Sequence, residues 1–403
     1  MTETSLGELS MDGGRYGIAA SAVDYTPDLP AYLRITDIRD DGTLDLSSRK
    51  SVEDPNATDY MLEPNDIVFA RTGNSTGRNY FYDPRDGRFA YAGFLIKFSL
   101  NPAEVNPRYI KYYAQSKPYW DWVASFNTGS TRGNINAKTY ASMPITLPSR
   151  CTQDGIVRFC DAISDKIRVN GQINGYLEDL LLSRYDYLFN KDGIEPNGVI
   201  SDIGEVVGGA TPSKKKPEYY TQQGIGWITP RDLSNTTDKF IAHGADDITQ
   251  LGYDSCSVRL MPAGTVLFSS RAPIGYVAIA ADEVTTNQGF KSIVPNDDIG
   301  TAFIYCFLKQ NKERIADAGS GTTFPEVSGK TMKSIELVIP DKDQCAEFSE
   351  WASPILEHQQ VLEVENHKLK QLRDSLLPKL MSGEIDVSKV EVPTPPNSHL
   401  CDY

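Results

Sequence analysis

Apolar residues fall at helical spacing through Ile156, Cys160, Ile163, Ile167, Leu177, Leu181 and Leu188, with Asn170 and Asn174 on the same seam. The pattern returns 192 residues later. LEDLLLSRYDYLF at 177–189 reappears as LKQLRDSLLPKLM at 369–381, so that Leu177, Leu180 and Leu188 match Leu369, Leu372 and Leu380. Carried backwards, the offset pairs Ile156 with Phe348, Ile163 with Ile355 and Asn174 with Asn366. This predicts two matched amphipathic helices, each about 37 residues and ~56 Å long. Thr152 is the expected N-cap of the first, with Asp154 in its opening turn and an end near Phe189. The second begins near Asp341, and Pro354 within it predicts a kink or break. A shared offset also predicts antiparallel packing about a pseudo-two-fold axis, with Asn174 and Asn366 meeting near it.

Each helix follows a stretch that alternates strand-like runs with polar turns. In residues 1–149, YLRITDI (32–38) reads as a strand and DIVFARTGNSTGRNYFY (66–82) as strand, glycine-rich loop and strand. FAYAGFLIKFSL (89–100) reads as one buried strand, RYIKYYAQSKPYWDWVASF (108–126) as an aromatic-rich helix, and MPITLP (143–148) as a closing strand. The same order recurs in the second half. GWITPRDLS (226–234), AGTVLFSSRAPIGYVAIA (263–280), VTTNQGFKSIVP (284–295) and AFIYCFLKQNKERIADA (302–318) follow one another, and GTTFPEVSGKT (321–331) repeats GSTRGNINAKT (129–139). Matching arginine to arginine places Arg271 opposite Arg71, an offset of 200. The fold class is α+β: two mixed domains separated by two long antiparallel helices, a coiled-coil spacer, in an internal pseudo-two-fold repeat. Boundaries fall at 1–149 and 193–340 for the domains, 150–192 and 341–386 for the helices, and 387–403 for a disordered tail containing PTPPNS.

Charge qualifies the picture. A net charge of −14 argues against nucleic acid as a partner. The stretches 1–149 and 198–340, however, are each only −3, with 15 basic against 18 acidic residues in the first and 13 against 16 in the second. Either could present one basic face, because the excess acid collects in the second helix and tail. No run of 18 apolar residues and no basic-then-apolar leader is present, so the chain reads as cytoplasmic with no membrane contact. The six cysteines lack C-x-x-C spacing and read as reduced thiols.

Catalytic groups are scarce. The four histidines are scattered, and there is no phosphate-binding G-x-x-x-x-G-K-[ST], no [DE]-x-K of common metal-dependent nucleases and no [DNS]-P-P-[YF] of amino-group DNA methyltransferases. What recurs is loops of Arg, Asn, Gln, Ser and Thr between apolar strands. Arg71, Asn74, Ser75 and Arg78 lie in the first; Arg132 and Asn134 follow; Lys214, Arg231, Ser270, Arg271, Asn287, Gln288, Lys291, Thr322 and Thr323 are their counterparts in the second half. Arginine forks match guanine, Asn and Gln match adenine, and hydroxyls and lysines suit phosphates, making double-stranded DNA the candidate partner. Glycine and asparagine in such loops also simply close tight turns.

Those residues bear a family resemblance. GGATPS (208–213), WITPRDL (227–233), SSRAPIGYVAIA (269–280), TNQGFKS (286–292) and GTTFPEVSG (321–329) resemble a target-recognition domain. LRDSLLPKLMSGEI (372–385) resembles the closing helix of specificity subunits of Type I restriction–modification enzymes. GGRYGIAASAVDY, YLRITDI and PNDIVFARTGNSTG resemble a second, different recognition domain. The resemblance implies a noncatalytic DNA reader binding two methyltransferase subunits and, with them, restriction/translocase subunits. Each domain would read half of a bipartite, asymmetric site while the helices set the gap. S-adenosylmethionine, ATP and magnesium would belong to the partner subunits, with no cofactor in this chain. A DNA-specificity subunit of another methylation-based phage-defence system fits the same residues, as does a nucleic-acid-independent helical scaffold; partners and salt-dependent DNA binding separate them.

Overall fold

The computed structural model describes residues 2–126, 133–190, 193–271, 273–321 and 325–387. It divides into two compact units: residues 1–166 with 369–403, and residues 167–368. Each contains one mixed head and part of each long helix.

The first head is built on two four-stranded sheets. One orders Arg15–Tyr16, Leu95–Ser99, Asp66–Ala70 and Asn79–Phe81; the other orders Ala22–Asp24, Lys50–Val52, Ala31–Leu33 and Phe89–Tyr91. Asp66–Ala70 is buried on both faces, as its unbroken apolar run requires. The run 89–100, one strand by its apolar pattern, is two strands turning at Ala92–Phe94. The aromatic run 108–126 is likewise two helices, Pro107–Tyr113 and Lys117–Ala124, broken before Pro118. Thr2–Ser5 pairs antiparallel with Pro144–Leu147, an N-terminal strand that composition gave no sign of.

The second head carries a five-stranded sheet in the order Gly204–Gly208, Lys291–Pro295, Val266–Ser270, Ile274–Ala280 and Phe240–Ile241. Gly226–Ile228 lies parallel to Val284–Thr286, as Ala31–Leu33 does to Phe89–Tyr91 in the first head.

The first long helix spans Arg150–Phe189 and the second Lys342–Ser382. The first is capped by Ser149, whose Oγ accepts from the Thr152 N–H at 3.2 Å, so Thr152 is inside the helix rather than its cap. The second runs through Pro354 without a break; the proline removes one backbone donor, and flanking turns keep the helix continuous. Within the second unit, Asn170 meets Asn366, the Asn174 carbonyl accepts from Gln359, and Tyr185 packs against Phe348. Rising numbers on one segment meet falling numbers on the other, so these segments are antiparallel. The buried pairing differs from the expected one. Asn170, fully buried, donates to Asn366 Oδ1 at 2.9 Å and to Glu365 at 2.7 Å, while Asn174 is half-buried. The contact therefore lies one helical turn from the residue the repeat singles out.

The heads seat on their helical segments by different means. In the first unit Tyr112 donates to Asp161 at 2.5 Å, and Arg85 reaches Asp165 at 3.0 Å, both partners of the latter pair 49% exposed. In the second unit the Lys239 ammonium is buried among Glu178, Gln359 (2.6 Å) and the Tyr305 ring (4.5 Å). Glu363 accepts the backbone N–H groups of Lys239 and Phe240 at 2.9 and 3.1 Å, and His367 contacts Asp238 at 2.7 Å. Burial raises the Glu363 carboxyl to about 7 despite those two donors, and burial lowers Lys239 against the opposing pull of Glu178.

Candidate nucleic-acid interface

Five loops converge on one edge of each head, and their backbone hydrogen bonds match. The Ile135 N–H donates to the Arg71 carbonyl at 2.9 Å, as Val327 does to Ser270. Arg71 donates to Phe94 O at 3.0 Å and Ser270 to Gly289 O at 2.7 Å. Ala92 to Leu33 answers Asn287 to Ile228, and Ile18 to Tyr91 answers Ala210 to Thr286, all at 3.0 Å. Arg34 and Thr229 each donate their N–H at 2.7 Å to an aspartate three residues on, Asp37 and Asp232. Gly17 and Gly209 sit where a Cβ would come within 2.4 Å of two carbonyl oxygens, the reason for glycine at both places.

This skeleton corrects the alignment of the repeat. Arg71 stands opposite Ser270, an offset of 199, and Arg271 stands opposite Thr72. Buried Phe69 and Phe268 mark the true register. Matching the two arginines slips it by one, which in a strand exchanges the faces.

Side chains then diverge. In the first head the Arg71 guanidinium lies 5.0 Å over the Tyr16 ring, its Nε buried with no hydrogen-bond partner. Asn74 and Asn134 are exposed. Ser75 is buried, and Arg78 is committed to Asp40 (2.6 Å) and the Ile38 carbonyl (3.2 Å), where it pins the 38–40 loop. In the second head Lys214, Arg231 and Gln288 are exposed, Gln288 accepting from the Thr211 hydroxyl. Arg271 lies 3.8 Å and Lys291 3.5 Å from the Glu326 carboxylate. The Asn287 amide oxygen is occupied by the Gly289 N–H at 2.8 Å. Ser270 is fully buried with its hydroxyl donated to Gly289 O, leaving no surface for a ligand. Arg132, Thr322 and Thr323 lie outside the described residues.

The sequence reading missed Tyr16, Phe94 and Glu326 at these edges, and Lys330 and Lys333. The two lysines line, with Lys291, Ser201 and Ser334, a basic groove of about 660 Å³ in the second head. Phe94 was hidden inside an apolar run; only the turn at 92–94 brings it to the surface. Lys330 was legible as the counterpart of Lys138 in the repeated loop. Among the described residues, no group of three His, Cys, Asp or Glu could hold a metal ion, and no helix is long and apolar enough to cross a membrane.

Residues 32–179 and 197–351 both match the family described as Type I restriction modification DNA specificity domain. The chain belongs to that family. Its members determine DNA specificity and are not catalytic by themselves. The MjaIX specificity subunit of Methanocaldococcus jannaschii is 46% identical over 147 residues, 36% of this chain and 34% of that subunit. The HindI specificity subunit of Haemophilus influenzae is 23% identical over 411 aligned residues, covering 82% of this chain and 89% of its own. The fold is shared with the S subunit from M. genitalium (17% identity, TM-score 0.55, covering 94% and 95% of the two chains).

Proposed function

We propose that the chain is the noncatalytic specificity subunit of a Type I restriction–modification complex, each head reading one half of a bipartite, asymmetric DNA site. The observation that supports this is the pair of converging edges: one backbone skeleton repeated bond for bond, carrying different side chains in its two copies. A shared scaffold gives one docking mode, and unlike side chains give unlike half-sites. Arg71, Asn74 and Asn134 are the proposed readers of the first half; Arg231, Arg271 and Gln288 are those of the second, with Lys214 and Lys291 on phosphates. Asn287, whose amide oxygen is internally satisfied, keeps only its NH₂ for a base.

The helices set the gap and dock two methyltransferase subunits. Large apolar residues stay exposed on them, and two pairs recur at the repeat offset: Val169 with Val361 (47% and 62% exposed) and Leu180 with Leu372 (49% and 45%). Exposed apolar surface that is written twice suits two copies of one partner. S-adenosylmethionine, ATP and magnesium then reside in the partner subunits. The test is to move residues 1–149 into a related specificity subunit and map the methylated motif. The first half-site should travel with them while the second stays; a motif that does not change in halves overturns the proposal.

A further inference from the structure

Phe94 is 58% exposed at the turn between Phe89–Tyr91 and Leu95–Ser99, and Tyr16 is 42% exposed beside it. One exposed aromatic on a protein surface is ordinary. These two share an edge with Arg71, which, like Arg49 over the Tyr25 ring, rests on a tyrosine and has no hydrogen-bond partner at its buried Nε among the described residues. Arg34, Arg39, Arg78 and Arg85 of the same head each pair with a carboxylate. Arg71 has no ion pair or side-chain hydrogen bond among the described residues; its guanidinium rests on the Tyr16 ring, and its buried Nε has no acceptor. Its backbone N–H is bonded to the Phe94 carbonyl, so all three residues share one edge.

The second head shows that the fold does not require these rings. The residues equivalent to Tyr16, Arg71 and Phe94 are Gly208, Ser270 and Gly289. Around Gly208 a Cβ would meet nothing within 4 Å, so the skeleton accepts a side chain there and does not need one. The aromatic pair is therefore an addition specific to the first edge.

From these observations we infer that Tyr16 and Phe94 determine first-half-site specificity: Tyr16 holds Arg71 as a fixed fork for guanine, and Phe94 covers the 5-methyl group of an adjoining thymine. An arginine stacked on a ring loses little freedom on binding, and its paired donors match guanine O6 and N7 in the major groove. A thymine methyl is the apolar feature that groove offers to a protruding phenyl ring. The inference rests on the reading of the first head as a DNA reader. Tyr16 is a positioning residue, whereas Phe94 and Arg71 touch the DNA.

The experiment uses the full chain assembled with its methyltransferase partner and measures affinity for duplexes bearing the complete site. Thymines of the first half-site are replaced singly by deoxyuridine and guanines by 7-deazaguanine. At one thymine, loss of the methyl group should weaken the unmodified complex about 4-fold, the effect of burying one such group. The same change should leave Phe94→Ala unaffected. At one guanine, 7-deazaguanine should weaken the unmodified complex and Tyr16→Phe alike, roughly 10-fold or more. In Tyr16→Ala that penalty should shrink. Tyr16→Phe removes only the hydroxyl that accepts from the Ala137 N–H at 3.1 Å and keeps the ring. Second-half substitutions should act equally on all variants, which controls for folding. Deoxyuridine penalties identical in the unmodified complex and Phe94→Ala at every first-half thymine overturn the inference, as does a 7-deazaguanine penalty undiminished in Tyr16→Ala. Absence of any sequence-selective binding by the assembled complex would instead refute the proposed function itself.

Discussion

Asn134 and Glu326 occupy the same place in the two heads, bridging Thr72 in one and Arg271 in the other. That one difference in charge separates two electrostatic arrangements on a common skeleton. The first edge presents Arg71 with no counter-charge among the described residues. The second contains its own, since Glu326 draws Arg271 and Lys291 to within 4 Å. Under the proposed function, DNA approaching the first edge would meet a fork with no carboxylate to displace. At the second edge it would have to displace the carboxylate or use it, as an acceptor for a cytosine amino group. On that reading, backbone geometry sets where a half-site is read, whereas local charge balance sets how strongly.

The heads also differ in seating, and the largest expected effect lies there. Lys239→Ala should destabilise the second unit by about 3–5 kcal/mol, because Glu178 and Gln359 lose a buried partner. Arg85→Ala should cost the first unit no more than about 1 kcal/mol, its pair being half-exposed. Urea unfolding of both variants checks this; equal losses would erase the contrast.

Next come the two arginines. Arg71→Ala should weaken the first half-site by roughly 1–3 kcal/mol and relax it at one position, and Arg271→Ala should do the same to the second half-site alone. The readout is the methylated motif of each variant in the assembled complex. An unchanged second half in Arg271→Ala would remove that residue from the readers and leave its loop as a tight turn.

A smaller effect isolates the counter-charge. Glu326→Gln should tighten overall DNA binding by about 0.5 kcal/mol and steepen its salt dependence, as one more cation becomes available to phosphates. Asn134→Glu should do the reverse in the first head. Parallel responses from the two variants would show that the electrostatic contrast does not lie at this position.

The smallest prediction concerns pH. Glu363 holds its proton to about 7 in the folded chain, above the ordinary carboxyl value. Between the two values the unfolded chain binds fewer protons, so this group's contribution to stability is present at low pH and falls as pH rises through about 7. Glu363→Gln should flatten that part of the profile. Denaturation midpoints compared between pH 5 and 8 would show it.

Much of this organisation was legible in the sequence. The seam of Ile156, Cys160 and Ile163 is buried, and the first helix ends at Phe189, where the apolar pattern stops. Long helices average over many residues, so their period survives a few exceptions. Strand register does not, since a shift of one residue moves every side chain to the other face. That is why the letters align Arg71 with Arg271, whereas the backbone hydrogen bonds align Arg71 with Ser270. The proposed reading residues are legible as types but not as states. Nothing in the letters distinguishes Ser270, sealed under Gly289, from exposed Asn74, or committed Arg78 from free Arg71. Those distinctions depend on hydrogen bonds between residues far apart in the chain. Asn170 was similarly passed over for Asn174, because a helical seam admits two amides a turn apart and only the opposing helix chooses.

The Lys239 cluster has a mechanical consequence. A joint made of greasy contacts can slide by small increments at little cost. A joint made of a buried ammonium, the Glu178 carboxylate and two backbone donors bonded to Glu363 cannot, because each intermediate position strands a charge or an unpaired donor away from water. The edge strand Phe240–Ile241 is thus clamped to the helical segment that carries Glu363, and any torque on that strand would be delivered to that helix without slack.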